Sequence, residues 1–241
     1  MEIKSCNLID ISEKHPDSSC KVYVLHVVIN DIEGRASQMI QTISSTSWIE
    51  RLGAIAQRTY AARAKSTIEK LVNEIFSKIS SPITDEFGEY VVSMSAQDAL
   101  EESLHHIKVP LAELFKEQKS GNPGFDFHTE SFSNIIAFGE AKYSASINPY
   151  TKALSQIVDF IGLCKDDMEL TDLSNFVSGQ AIDRALNGIK AYIAAFSINS
   201  KNPETILMNV LKSEYLSALL TYPELYLIGV EINDKRDRTE H

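Results

Sequence analysis

The segment from Gly124 to Tyr143 constrains this chain more than any other. It reads Gly-Phe-Asp-Phe-His-Thr-Glu-Ser-Phe-Ser-Asn-Ile-Ile-Ala-Phe-Gly-Glu-Ala-Lys-Tyr, two runs of strand-forming residues around a short polar turn. The second run, Ile135 to Phe138, leads directly into Glu140 and Lys142. Side chains two apart on a strand share a face, so this carboxylate and this ammonium point the same way. With Phe132 to Asn134 as the connection, Ser131 pairs with Ile135 and Asp126 falls opposite Glu140. Facing residues on paired strands lie roughly 4.5–5.5 Å apart at Cβ. Two acids and a lysine are therefore expected to converge at one end of a sheet.

Hard cations such as Mg²⁺ choose carboxylate oxygens and keep several waters. Such a cation shields a phosphodiester's charge and acidifies water, while a lysine orients the water or stabilises developing charge. The carbonyl of Ala141, between the two charged residues, is a further candidate ligand. His128 and Glu130 alternate onto the face of Asp126. His128 is a candidate substrate contact or a structural histidine, and Glu130 is expected to be solvated at the hairpin end. Tyr143 falls on the opposite face and is expected to pack there. The plain alternative is a strand-end ion pair between Glu140 and Lys142; the facing Asp126 and the flanking glycines favour a site. Loss of Lys142 is expected to leave folding nearly intact.

Asp126 followed by Glu140-Ala141-Lys142 at the end of an apolar strand resembles the metal-binding signature of the PD-(D/E)XK nuclease superfamily. The wording Gly-Phe-Asp-Phe-His and Phe-Gly-Glu-Ala-Lys-Tyr resembles, more narrowly, the HamA family, nuclease subunits of the Hachiman anti-phage system, and the related AbpA-type proteins. The match spans roughly residues 84–165, and Phe125 stands where the superfamily often has proline. The resemblance implies an α/β fold with a restriction-endonuclease-like core of helix, three strands, helix and strand, its mixed sheet flanked by helices. It further implies Mg²⁺- or Mn²⁺-dependent hydrolysis of DNA. Asp126, Glu140 and the Ala141 carbonyl would hold metal, and Lys142 would assist catalysis. A HamB-like helicase would be the partner, in defence against phage. Superfamily members often carry a glutamate on the helix before the first core strand; here that residue is Glu89, with Glu86 second. Thr84 is the expected cap of that helix, and Glu86, Glu89 and Ser93 share one face. Gln156, four before Phe160, resembles a Gln-x-x-x-Tyr pattern that contacts DNA, with Phe in place of Tyr.

The formal charge of −10 sits awkwardly with that role, because nucleic-acid affinity comes mostly from lysine and arginine contacts to phosphate. Metal neutralisation of the acids and a DNA-capturing partner together would reconcile the two. A catalytically silent subunit that regulates a helicase is the alternative, since fold alone does not establish activity. Three scattered cysteines lack metal-ligand spacing, as expected for reduced thiols in a cytoplasm. No apolar run has the length of a membrane span, the start lacks a signal-peptide pattern, and no Gly-rich phosphate loop is present.

The 241 residues read as a single domain in three stretches. Residues 1–80 comprise strands at 2–11 and 20–30, a short helix near Ala36 to Ile43, and a long helix from Ser47 to about Ser80 with Glu50 completing a capping box. Trp48, Leu52, Ile55, Tyr60, Ile68, Leu71, Ile75, Phe76 and Ile79 line its apolar face, and Arg51, Arg58 and Lys65 recur at seven-residue spacing as a candidate stripe for DNA or a partner. Residues 81–234 hold the core. A strand near Lys108 to Phe115 and a turn at Ser120 to Gly124 precede the hairpin, and a crossover helix from Tyr150 to Cys164 follows it. Next come a helix from Thr171 to Phe196, a last helix opened by Asn202-Pro203, and a buried strand at Leu225 to Val230. Residues 235–241 form a polar tail.

Overall fold

The computed structural model, which describes residues 1–77, 83–116 and 124–233, gathers the strands into one seven-stranded mixed sheet. The elements run β1 (Glu2–Ile9), β2 (Lys21–Ile29), α1 (Ile32–Ser44), α2 (Ser47–Glu50) and α3 (Ala54–Lys70), the last continuing into a π-helical turn at Leu71–Phe76. Then come α4 (Asp85–Leu104), β3 (Ile107–Lys108), α5 (Ala112–Phe115), β4 (Phe127–Glu130), β5 (Ile136–Lys142) and α6 (Tyr150–Gly162). The remainder is α7 (Lys165–Met168), α8 (Leu170–Leu173), α9 (Gly179–Leu186), β6 (Ala191–Ile198), α10 (Pro203–Val210), α11 (Leu216–Leu219) and β7 (Glu224–Ile232).

The strand order is β1-β2-β7-β6-β5-β4-β3. Strands β2, β7, β6 and β5 are parallel, and an antiparallel strand or hairpin closes each end. The first hairpin thus joins the same sheet as the rest, through the β2–β7 pairing. One face of the sheet packs against α1, α4 and the π-helical turn; the other packs against α6, α9, α10 and α11. The central strands β5 and β6 are buried along their whole length, as expected where helices cover both faces.

Three expected elements differ. The helix expected at 171–196 ends at Leu186, and Ala191–Ile198 is instead a central strand. Every residue of that run is buried, so its apolar pattern carries no period to separate strand from helix. Leu186 and Ile189, expected inside the helix stripe, are exposed. The strand expected at 108–115 is only Ile107–Lys108, because Pro110 has no N–H for the ladder and α5 begins two residues on. The long helix breaks at Arg51 to Gly53, where Gly53 takes an extended conformation. Ile55 is left 85% exposed, and α2 starts from Thr46 without a side-chain cap, so no capping box forms with Glu50. Residues Ile79 to Pro82, most of the turn before Gly124, and the tail lie outside the described residues.

The expected hairpin register forms. Ser131 N–H donates to Ile135 O at 2.9 Å and Asn134 N–H to Ser131 O at 2.8 Å. Asn134 closes the three-residue loop with φ of 53°, the left-handed conformation that Asn tolerates better than most residues. Ladder pairs run from Glu130↔Ile136 to Phe127↔Gly139. At that last pair a Cβ on Gly139 would stand 2.5 Å from the Phe127 ring, so the strands approach there only with glycine. Gly139→Ala should therefore cost about 1–3 kcal/mol by overpacking. Urea unfolding checks this; a loss under about 0.5 kcal/mol, typical of an unconstrained site, would mean that the ring yields freely.

Candidate active site

Asp126 is the residue just before β4, one beyond the last ladder pair, Phe127↔Gly139. Its backbone N–H donates to Gly139 O at 2.9 Å, and its Oδ2 accepts from Ala141 N–H at 2.8 Å. The Asp126 carboxylate therefore lies across the end of β5, beside the two residues that flank Glu140. Lys142, two residues on, places Nζ 2.5 Å from Glu140 Oε1 and 3.9 Å from Glu89 Oε1. Glu89 comes from the first turns of α4, whose start is fixed by Thr84 Oγ1 accepting from Phe87 N–H at 3.3 Å. Gly88 lets the helix approach: a Cβ there would overlap the Tyr143 ring, which packs with the α4-side core, opposite the face of Phe138 and Glu140, as expected. Asp126, Glu89, Glu140 and Lys142 thus meet at the C-terminal end of β5, where the parallel strands give way to the antiparallel edge.

Burial sets the electrostatics. Glu140 is fully buried, which pushes its carboxyl well above the usual range; the charge of Asp126 adds to this and Lys142 opposes it. Burial also raises Asp126, against Lys142, the Ala141 N–H and Lys116. Glu89 is raised by burial too, with Lys142 and Lys152 pulling it down. Burial disfavours the Lys142 ammonium, but Glu140 and Asp126 outweigh this and leave it above its ordinary value. Lys142 is thus a fixed cation and no general base. Because it is buried against Glu140, its removal would strand a carboxylate in the interior, a loss of about 3–5 kcal/mol for a broken buried pair. The expectation that folding tolerates its loss is corrected accordingly.

A cavity of about 260 Å³ opens beside Asp126, walled by Glu86, Glu89, Tyr90, Ser93, Leu111 and Glu113. Among the described residues, no three His, Cys, Asp or Glu side chains form a ready cation cage. The donors that do meet are two carboxylates and, on the edge of β5 that carries the Ala141 N–H, the Ala141 carbonyl. Glu140 Oε2 is buried with no hydrogen-bond partner among the described residues, so one carboxylate oxygen is left open to an electrophile. Oxygen donors with room for water suit Mg²⁺ or Mn²⁺.

The other expected residues stand elsewhere. His128 is fully buried, its Nε2 donating to Glu169 Oε2 at 2.6 Å, so it is not a substrate contact. Glu130 is not solvated: both carboxylate oxygens accept from Ser178, one from its N–H at 2.8 Å and one from its hydroxyl at 2.5 Å. Gln156 is half-buried on α6, and Phe160 sits in the core against Phe125 at 5.2 Å. Glu86 is exposed and 3.4 Å from Lys70. Arg51 falls in the break before α3, so it does not continue the line of Arg58 and Lys65, which are exposed on that helix. Glu113 and Tyr90, hydrogen-bonded to one another at the cavity, were not foreseen, because Glu113 lies in the segment read as a strand.

No protein-family model and no curated protein matches this sequence. No helix among the described residues is long and apolar enough to cross a membrane.

The raised Glu140 carboxyl has a pH signature. A group held above its ordinary value of 4.5 contributes stability in full below that value, and the contribution is lost as pH rises through the folded-state value. Without metal, the wild type should lose stability relative to Glu140→Gln as pH climbs above 4.5. Mn²⁺ affinity should rise over the same window, since cation and proton compete for the same oxygens. Thermal midpoints against pH, with EDTA and with Mn²⁺, test both, and a Mn²⁺-induced shift constant across pH would contradict them.

Proposed function

We propose that this chain is a divalent-cation-dependent deoxyribonuclease on a restriction-endonuclease-like core, working with a helicase in anti-phage defence. The observation that carries the reading is the convergence of Asp126, Glu140 and Lys142 at one end of β5. The order α4-β3-β4-β5-α6-β6, with the short α5 inserted after β3 and α7, α8 and α9 after α6, supports it by following helix, three strands, helix, strand, with β5 and β6 parallel and β3-β4-β5 antiparallel. The defence role and the HamB-like partner rest on the motif resemblance.

Asp126, Glu140 and the Ala141 carbonyl would hold Mg²⁺ or Mn²⁺, with Glu89 at the cavity mouth. The bound cation supplies Lewis acidity toward a phosphodiester and lowers the pKa of water. Lys142, held protonated by its neighbours, presents positive charge to the phosphoryl oxygens as negative charge builds there. Ala141 N–H holds Asp126 Oδ2, fixing one carboxylate's orientation before substrate arrives. Burial of Glu140 keeps bulk water from screening these charges.

The protein's net charge of −10 argues that DNA reaches this site by delivery. A helicase that grips the backbone would supply the phosphate contacts that this acidic surface lacks.

Cleavage of linear and circular DNA, with and without the product of a neighbouring helicase gene, tests the reading. Cutting should need Mg²⁺ or Mn²⁺ and stop with EDTA. The double variant Glu140→Gln/Lys142→Met removes both partners of the buried pair together, so it should fold and lose cleavage by at least about 100-fold. Wild-type cutting by that folded variant would refute the assignment, and activity on no DNA under any of these conditions would favour the regulatory alternative.

A further inference from the structure

We infer that the part-buried pair Lys116–Glu169 is a positioning device for Asp126, acting through the backbone of Phe125; the inference rests on the nuclease reading. Phe125 precedes β4, so the sheet ladder does not hold it. Side chains do so instead. Its N–H donates to Glu169 Oε1 at 3.0 Å, and its carbonyl accepts from Lys116 Nζ at 2.7 Å. Lys116 Nζ is also 2.5 Å from Glu169 Oε1, and Glu169 Oε2 takes His128 Nε2 at 2.6 Å.

The consequence lies in the next peptide unit. The peptide group joining Phe125 to Asp126 is planar, so fixing its two polar atoms fixes its orientation. Lys116 holds the oxygen and Gly139 O holds the N–H, at 2.7 and 2.9 Å. The Cα of Asp126 is thereby set at the end of a rigid plane, and Ala141 N–H sets its carboxylate. The fit is close: a Cβ on Gly124 would overlap Glu169 Oε1 and stand 3.0 Å from Lys116 Nζ. The Phe125 ring is pinned at 5.2 Å from both Phe138 and Phe160.

Stability alone gives no reason for such a pair. Well-packed apolar residues commonly match or exceed a buried ion pair in stability. Residues that orient metal ligands, by contrast, typically change affinity or activity about 10–100-fold when replaced.

The test compares wild type with Lys116→Met, Glu169→Gln and Gly124→Ala, the last keeping every charge while displacing the pair. Mn²⁺ affinity is measured by calorimetry, cleavage as a function of Mn²⁺, and folding by thermal melts. We expect each folded variant to bind Mn²⁺ at least about tenfold more weakly. Its half-saturating Mn²⁺ should rise in step, with cleavage at saturating Mn²⁺ recovering toward wild type. If Lys116→Met or Glu169→Gln fails to fold, Gly124→Ala carries the decision. Folded variants with Mn²⁺ affinity within about twofold of wild type would overturn the inference, whatever stability they lose, and leave the nuclease reading standing. A wild type that neither binds Mn²⁺ nor cuts DNA would overturn both.

Discussion

Two carboxylates and one ammonium, withdrawn together from water at the end of a sheet, set the terms for the rest of this molecule. Asp126 and Glu140 are each pushed toward protonation by burial, and Lys142 is the cation that most opposes this at both. Such a cluster persists only if its surroundings leave it no way to relax. The surroundings here do so by close approach. Gly139 lets Phe127 lie against β5, Gly88 lets α4 lie against Tyr143, and Asn134 locks the hairpin register. The sheet holds the charges in place while the charges themselves oppose burial.

Three cations near the site are already paired. Lys142 is bound to Glu140, Lys116 to Glu169, and Lys70 lies beside Glu86. A phosphodiester approaching this end of the sheet meets Glu86, Glu89, Glu113 and Asp126 around one cavity. An unaided anion would be repelled there. On the function proposed above, the feature that disfavours free DNA would favour divalent cations, so cation binding and strand delivery by a partner would answer one electrostatic problem. The short cation–carboxylate contacts also mean that Lys142 must exchange its grip on Glu140 for any new anion it serves.

What was legible in the sequence followed from period and local chemistry. The hairpin register was readable because Ser131 and Ile135 bracket a loop of three, and that pairing runs as far as Phe127↔Gly139; beyond it Asp126 bonds to Gly139 O and Ala141 N–H, the residues on either side of Glu140. The Thr84 cap and the face of Glu89 followed from helical spacing, and Asn202-Pro203 marked the start of α10. The failures share a cause, tertiary burial overriding local pattern. β6 looks helical in the sequence because a strand buried on both faces shows no alternation, and Ala-rich sequence suits either state. Glu130 and His128 were placed by face alone, whereas their partners Ser178 and Glu169 lie 48 and 41 residues away. No spacing rule reaches that far. Lys116 was unreadable for the same reason: its role depends on Glu169, 53 residues on.

Buried charge by itself does not mark a site in this protein, which has several. Asp166 is buried, yet its Oδ2 accepts from Lys190 and Tyr192, and its Oδ1 from Asp167 N–H. Glu130 is satisfied at both oxygens by Ser178, and Glu169 at both by Lys116, Phe125 and His128. These carboxylates are closed, and closed networks hold structure. Glu140 is buried as deeply and, among the described residues, is met on one oxygen only, with Oε2 unpartnered. An open buried oxygen carries the full cost of desolvation without the hydrogen bond that would offset it. Folding gains nothing from that open oxygen, and this asymmetry among otherwise similar carboxylates sets the end of β5 apart from the protein's structural ion pairs.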